Sequence, residues 1–162
     1  MNFFKAFDKL KQSPEYKEWR KQNPDYYLCH GFFMTGQVWE LGFYDPNKDR
    51  ITTFSVGDKI TKTSDSEVFK KNKKVKKLDT SKINLNFSEA KDISMNLQKT
   101  KYPAHAALKK IFIIQNINDE AVWNITFVTK SFKTLNIKIN ANTKDIICDS
   151  FVSLFQFDNP EK

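Results

Sequence analysis

One six-residue pattern occurs twice in the chain, as Val38-Trp39-Glu40-Leu41-Gly42-Phe43 and as Val122-Trp123-Asn124-Ile125-Thr126-Phe127. In both copies Trp, an aliphatic residue and Phe occupy alternate positions, which is typical of a strand with one buried face. A candidate helix precedes each copy, and a polar turn and a second alternating stretch follow it. A unit that recurs in this way predicts a chain built from two similar halves.

Helix signals stand in front of each copy. Ser13-Pro14-Glu15 offers a capping hydroxyl, a proline and an acid where a helix N-terminus favours them, and Pro24 predicts the end of that helix. Ser88-Glu89-Ala90 begins the second predicted helix, which Pro103 bounds. The spacing of Phe and Leu residues predicts a further short amphipathic helix over 2–11.

Alternating apolar residues predict strands on both sides of each copy of the motif. In chain order these strands are 26–34, 37–44, 50–56, 108–117, 122–128, 132–139 and 146–157. The alternation turns Trp39 and Trp123 inward, so both are interpreted as core residues rather than ligand platforms. Residues 108–117 are apolar on both faces, which favours a central place in a sheet.

The expected fold class is therefore α+β. We expect two similar helix-plus-antiparallel-sheet halves, with each helix packed on one sheet face. The predicted organisation is an N-terminal helix-β-β-β unit over 1–60, a Lys-rich connector over 61–82 and a C-terminal helix-β-β-β-β unit over 83–162. Ser64 or Asp65 is expected to cap a short helix that runs to Lys70. Leu78 and Ile83 are expected to anchor the connector.

The positive charge of the chain is concentrated in its middle. The net charge is +8, and residues 61–101 carry net +6 while each flanking part carries net +1. A solvated connector is one explanation, and a patch that faces phosphates or an acidic protein is the other. Only two arginines are present, which favours nonspecific rather than base-specific nucleic-acid contacts. The candidate partner-contact patch consists of Lys70, Lys71, Lys73, Lys74, Lys76 and Lys77.

Residues typical of catalysis do not form a recognisable constellation in this sequence. Cys29 and His30 are neighbours, but successive side chains of a strand point to opposite faces, so we do not expect them to pair. No metal-ligand spacing or phosphate-binding loop is present, and the sequence predicts no enzyme, no metal site and no cofactor. No signal peptide and no apolar run of ~20 residues occur, which predicts a cytoplasmic location without a membrane span.

Three stretches of the second half follow one another as helix entry, strand and hairpin. They are Ile83-Asn84-Leu85-Asn86-Phe87-Ser88-Glu89-Ala90, the strand Val122–Phe127, and Ile137-Lys138-Ile139-Asn140-Ala141-Asn142-Thr143-Lys144-Asp145-Ile146. In this order they resemble the PepSY domain family, although Asn140 stands where that family has Asp and no Gly follows Thr143. The resemblance is clearest over 83–150, with a possible divergent second copy over 13–60. It implies a helix on an antiparallel sheet and a non-catalytic module.

Two functions follow from these observations. The first is a non-catalytic, intracellular protein- or peptide-binding module that uses an exposed sheet edge or face. The alternative is a nonspecific nucleic-acid- or ribosome-associated basic protein that acts through the connector lysines. The resemblance favours the first function, and the clustered charge favours the second.

Overall fold

The computed structural model describes residues 1–63, 66–67 and 75–153. The described helices are α1 (Phe3–Gln12), α2 (Pro14–Gln22) and α3 (Phe87–Lys101), with a 3-10 turn at Thr80–Lys82 before α3. The described strands are β1 (Tyr27–Met34), β2 (Trp39–Asp45), β3 (Arg50–Val56), β4 (Ile60–Lys62), β5 (Ser66–Glu67), β6 (Ala107–Ile117), β7 (Glu120–Thr129), β8 (Lys133–Asn140) and β9 (Ile146–Ser153). The last four residues of the predicted strand 146–157 lie outside the described residues.

All of these strands form one antiparallel sheet. Eight of them follow the order β4-β3-β2-β1-β6-β7-β8-β9, and β5 pairs with β3 next to β4. Strands β1 and β6 lie side by side, with Gly31 opposite Ile114, so β6 has the central place that its apolar faces predict. The α+β class with an antiparallel sheet is confirmed, and the two predicted halves share one sheet.

The starts of α2 and α3 follow local capping chemistry. The Ser13 hydroxyl accepts the Tyr16 N–H at 3.2 Å, and Pro14 occupies the first turn of α2 as predicted. In front of α3, Asn86 Oδ1 accepts the Glu89 N–H and Glu89 Oε2 accepts the Asn86 N–H, both at 3.0 Å. This reciprocal capping box makes Asn86 the cap, so α3 begins one residue before the predicted Ser88.

One core joins the three helices to the same face of the sheet. Phe3 of α1 packs on Trp39 with ring centroids 5.8 Å apart, and Phe87 of α3 packs on both Trp39 and Trp123. The two Trp rings meet at 6.4 Å and are 1% and 0% exposed, so their predicted place in the core is confirmed. On α2, Trp19 packs on Phe43 at 5.5 Å. Both copies of the motif therefore contribute to a single core.

The connector differs from its prediction. Ser66 and Glu67 form β5 and pair with Ile51 and Arg50, so the helix expected from Ser64 or Asp65 is wrong at these two positions. The physical reason is that β4 pairs only with Phe54–Val56 of β3, and β5 supplies strand partners to Arg50 and Ile51 at the other end of β3. The anchoring prediction is confirmed, because Leu78 and Ile83 are buried. None of the described helices has the length and apolar character that crossing a membrane requires.

Candidate functional site

The predicted lysine patch is described only at its C-terminal end. Lys70, Lys71, Lys73 and Lys74 lie outside the described residues. Lys76 Nζ lies 2.6 Å from Asp119 Oδ1, and the Lys77 carbonyl accepts the Asn116 side-chain N–H at 2.9 Å. The side chains of Lys76 and Asp119 are 42% and 79% exposed, so this ion pair is solvated.

The segment 75–78 joins the ends of β1 and β6. The Tyr27 hydroxyl donates to the Val75 carbonyl at 2.8 Å, and the Leu78 N–H donates to the Leu28 carbonyl at 2.9 Å. On the other side, Asn116 of β6 holds the carbonyl of residue 77. The described end of the patch is thus part of the folded domain, and Lys76 already has an acidic partner.

Cys29 and His30 do come together, which corrects the expectation from strand alternation. Leu28 pairs with Phe43 and His30 pairs with Gly42, so β1 has one residue more than β2 at this point. Such a bulge interrupts the alternation of side chains. As a result Cys29 Sγ lies 3.3 Å from His30 Nδ1.

Gly42 makes room for the imidazole. A Cβ at residue 42 would lie 2.2 Å from Cε1 of His30, which is far inside van der Waals contact. Beside the ring is a cavity of about 250 Å³, which opens to the surface. It is lined by Cys29, His30, Ile51, Val75, Lys76, Gln115 and Asn116.

The electrostatics of this pair are those of two neutral groups. Burial raises the pKa of the Cys29 thiol to about 12, and burial lowers the pKa of His30. The thiol also donates to the Gly42 carbonyl at 3.3 Å. A cysteine nucleophile needs a lowered thiol pKa, so the environment of Cys29 works against this reactivity.

The described residues do not assemble a metal site of three or more Cys, His, Asp or Glu side chains. Both cysteines are free, Cys29 buried and Cys148 exposed. Cys148 lies on β9, opposite Lys138. The sequence predicted this strand and assigned it no role in binding, and its place at the end of the strand order follows from the described sheet.

The two edges of the described sheet differ in length and protection. At one edge β4 and β5 contribute three and two residues. At the other, β9 contributes eight, and no described strand pairs with its outer side. Residues 146–153 include no Lys, Arg or Pro, and Ile146 and Ile147 are 44% and 50% exposed. Lysine, proline and shortness often protect natural edge strands, and β9 lacks these three features, while it does carry Asp149 and a register irregularity near Ile147.

On the helix side, the end of α3 meets β9. Phe151 packs on Tyr102 and on His105, with ring centroids 5.2 and 4.5 Å apart. The Asp149 carboxylate lies 2.8 Å from Lys101 Nζ and accepts the Tyr102 hydroxyl at 2.5 Å. These hydrogen bonds, from Lys101 first and then from Tyr102, lower the pKa of Asp149. Asp149 is the one acidic residue of β9, and its charged carboxylate is therefore paired with Lys101 and hydrogen-bonded to Tyr102 on the helix side.

Comparison with known proteins supports the fold and leaves the function open. No family model and no curated protein matches the chain. The structure is similar to the crystal structure of a "putative lipoprotein" from Clostridium difficile 630, with a TM-score of 0.55 and 12% sequence identity. The similarity covers 84% of this chain and 89% of that one. At this identity it shows a shared fold alone.

Proposed function

We propose that this protein is a non-catalytic module that binds an extended segment of another protein along the outer edge of β9. The observation that carries the proposal is an eight-residue edge strand with exposed Ile146 and Ile147 and no guarding Lys or Pro. Backbone N–H and C=O groups on the outer side of an edge strand are available to another strand. An added strand would satisfy them, as in β-augmentation.

The opposite edge is a poorer candidate for the same role. Strands β4 and β5 are short and pair with different parts of β3, so neither offers a continuous ladder of backbone groups. A β-augmenting peptide gains its affinity from several consecutive main-chain hydrogen bonds. Strand β9 is therefore the edge to which we assign binding.

The non-catalytic part of the proposal rests on the chemistry of Cys29 and His30. They are the thiol and imidazole that the fold brings together, and burial shifts both pKa values toward the neutral forms. A thiolate–imidazolium pair would need the opposite shifts. The cavity beside them is accordingly assigned no reaction.

A tandem, PepSY-like organisation belongs to the proposal as well. We place the two units at 13–60 and 83–150, with the domain boundaries and connector predicted from the sequence. Support comes from the order of α3 and β6–β9, and from the contact between Trp39 and Trp123 in one core. The cytoplasmic location stays a prediction, which fractionation of the producing cell would test.

Selection from a displayed library of random eight-residue peptides tests the function. We expect enriched peptides whose binding is lost in Ile147→Lys, because a charge at the edge opposes strand addition. Val38→Lys is the matched control, since Val38 is 43% exposed and immediately precedes β2, which four strands separate from β9 in the sheet order. Absence of any enriched peptide would overturn the binding function, and equal loss of binding in both variants would overturn its assignment to β9.

A further inference from the structure

The charges beside β9 define which extended segments fit it. Side chains of a strand alternate between the two faces of a sheet, so a strand added to β9 presents residues to both the helix side and the open side. The groups that meet these residues belong to two neighbours of β9. Helix α3 lies against one face of the sheet, and β8 is the strand that pairs with β9.

On the helix side the cation that contacts the middle of β9 is Lys101, while Lys133 Nζ lies over the Phe151 ring nearer the end of the strand. The ammonium group of Lys101 binds Asp149 at 2.8 Å while its side chain remains 58% exposed. An ammonium group has three N–H donors, and the contact with one carboxylate oxygen leaves donors for a further acceptor. Asp149, in contrast, is 15% exposed and already accepts from Lys101 and Tyr102. The Lys101–Asp149 pair has no net charge, and its more exposed member is the ammonium group, so the helix side of the edge presents an N–H donor rather than a free carboxylate.

On the open side the corresponding cation is Lys138. It lies on β8 directly opposite Cys148, which is the residue before Asp149. Within the part of the chain that the structure describes, no ion pair joins Lys138 to an acid. A lysine thus stands on each face of the sheet at neighbouring positions near the middle of β9.

The end of β9 near residue 146 has a different character. The register shifts between Lys138 and Ile139, which makes Ile147 an extra residue in β9, and both Ile146 and Ile147 are exposed. Apolar side chains of an added strand would cover these two residues and remove apolar surface from water. The edge therefore combines an apolar end with a cationic middle.

We infer that the segment bound by β9 is an extended peptide with adjacent acidic residues at its centre and apolar β-branched residues around them. This inference rests on the proposed function. Adjacent residues of the added strand point to opposite faces, so one carboxylate would reach Lys101 and the next would reach Lys138. Apolar residues at one end of the strand would pack on Ile146 and Ile147.

Three synthetic peptides test the inference by fluorescence anisotropy. Their sequences are Val-Thr-Val-Glu-Glu-Val-Thr-Val and the same peptide with Gln-Gln or Lys-Lys at the centre. We expect the Glu-Glu peptide to bind roughly 2- to 30-fold more tightly than the Gln-Gln peptide at low salt, as for two exposed ion pairs. The Lys-Lys peptide should bind most weakly. The advantage of the Glu-Glu peptide should shrink as salt is added.

Protein variants locate the contacts. Lys138→Gln should remove part of the Glu-Glu advantage, and Lys101→Gln with Lys138→Gln should remove all of it. Lys109→Gln, on exposed β6 surface away from the edge, should leave the advantage unchanged. Unfolding midpoints of each variant separate a lost contact from a lost fold. Equal binding of all three peptides, abolished by Ile147→Lys, would overturn the acidic preference and leave the proposed function intact. Failure of all three peptides to bind would overturn the inferred peptide chemistry, and the random-peptide selection decides the proposed function separately.

Discussion

Truncation of Trp123 is the sharpest perturbation of the shared core. The side chain is 0% exposed, its ring packs on Trp39 and Phe87, and its Nε1–H donates to the Leu85 carbonyl at 2.9 Å. Trp123→Ala would remove the ring contacts and leave that buried carbonyl without this donor. Large-to-small changes of this kind cost about 3–5 kcal/mol of the free energy of unfolding.

Replacing each Trp by Phe separates the ring from the hydrogen bond. In Trp123→Phe the lost donor leaves the buried Leu85 carbonyl short of a partner, which costs about 1–3 kcal/mol. The Nε1–H of Trp39 donates to the Met1 carbonyl at 3.0 Å in a partly exposed place, where water can replace it. Trp39→Phe should therefore cost less than Trp123→Phe.

Urea unfolding followed by circular dichroism measures these differences in the free energy of unfolding, and thermal unfolding measures the accompanying change in Tm. For a chain of this size, a loss of 3–5 kcal/mol corresponds to a fall in Tm of roughly 6–20 °C. Val38→Ala is the control, because this neighbouring side chain is 43% exposed and should change the free energy of unfolding by less than about 0.5 kcal/mol. A loss below about 1 kcal/mol in Trp123→Ala would refute the argument that one core joins the two copies of the motif.

Other perturbations test the surroundings of β1 and the connector. Burial lowers the pKa of His30, so as the pH falls the unfolded chain binds a proton there before the folded chain does. The free energy of unfolding should therefore decrease as the pH drops from about 6.5 toward the lower pKa of the folded state. This decrease should be less steep in His30→Gln. A thiol reagent at pH 8 should label Cys148 and spare Cys29 until the protein is unfolded, and peptide mapping would reveal the reverse if burial of Cys29 is wrong. Gly42→Ala should cost about 1–3 kcal/mol through the clash with the imidazole, and much of this loss should be recovered when His30→Ala is added; additive losses would contradict the clash. If the protein binds nucleic acid, binding of mixed RNA should weaken steeply with salt and disappear after charge reversal of the connector patch, Lys70, Lys71, Lys73, Lys74, Lys76 and Lys77; an unchanged titration would exclude this patch.

Local chemistry explains why much of the fold can be predicted from the sequence. Alternation alone placed Trp39 and Trp123 on buried strand faces, and Ser13 with Pro14 marked the start of α2. These signals depend on residues within a few positions of one another. The pairing of β1 with β6 joins residues about 80 positions apart, and no local pattern specifies which strands become neighbours.

The features around the candidate sites depend on such long-range pairing. The bulge beside Cys29 arises from the register of β1 against β2, and it reverses the conclusion drawn from alternation. The edge position of β9 likewise follows from the order of strands in the sheet. The sequence predicted a strand from residue 146 onward, but only the order of the strands in the sheet identifies this strand as an edge.

Hydrogen–deuterium exchange with the Val-Thr-Val-Glu-Glu-Val-Thr-Val peptide tests whether β9 accepts an added strand. Strand addition would place new hydrogen bonds on the outer amides of β9, so exchange across residues 146–152 should slow when the peptide binds. Exchange in β4 and in the segment 75–78 should stay the same. Protection of β9 alone would support the account. Peptide binding with protection elsewhere, or no change in β9 at saturating peptide, would contradict it.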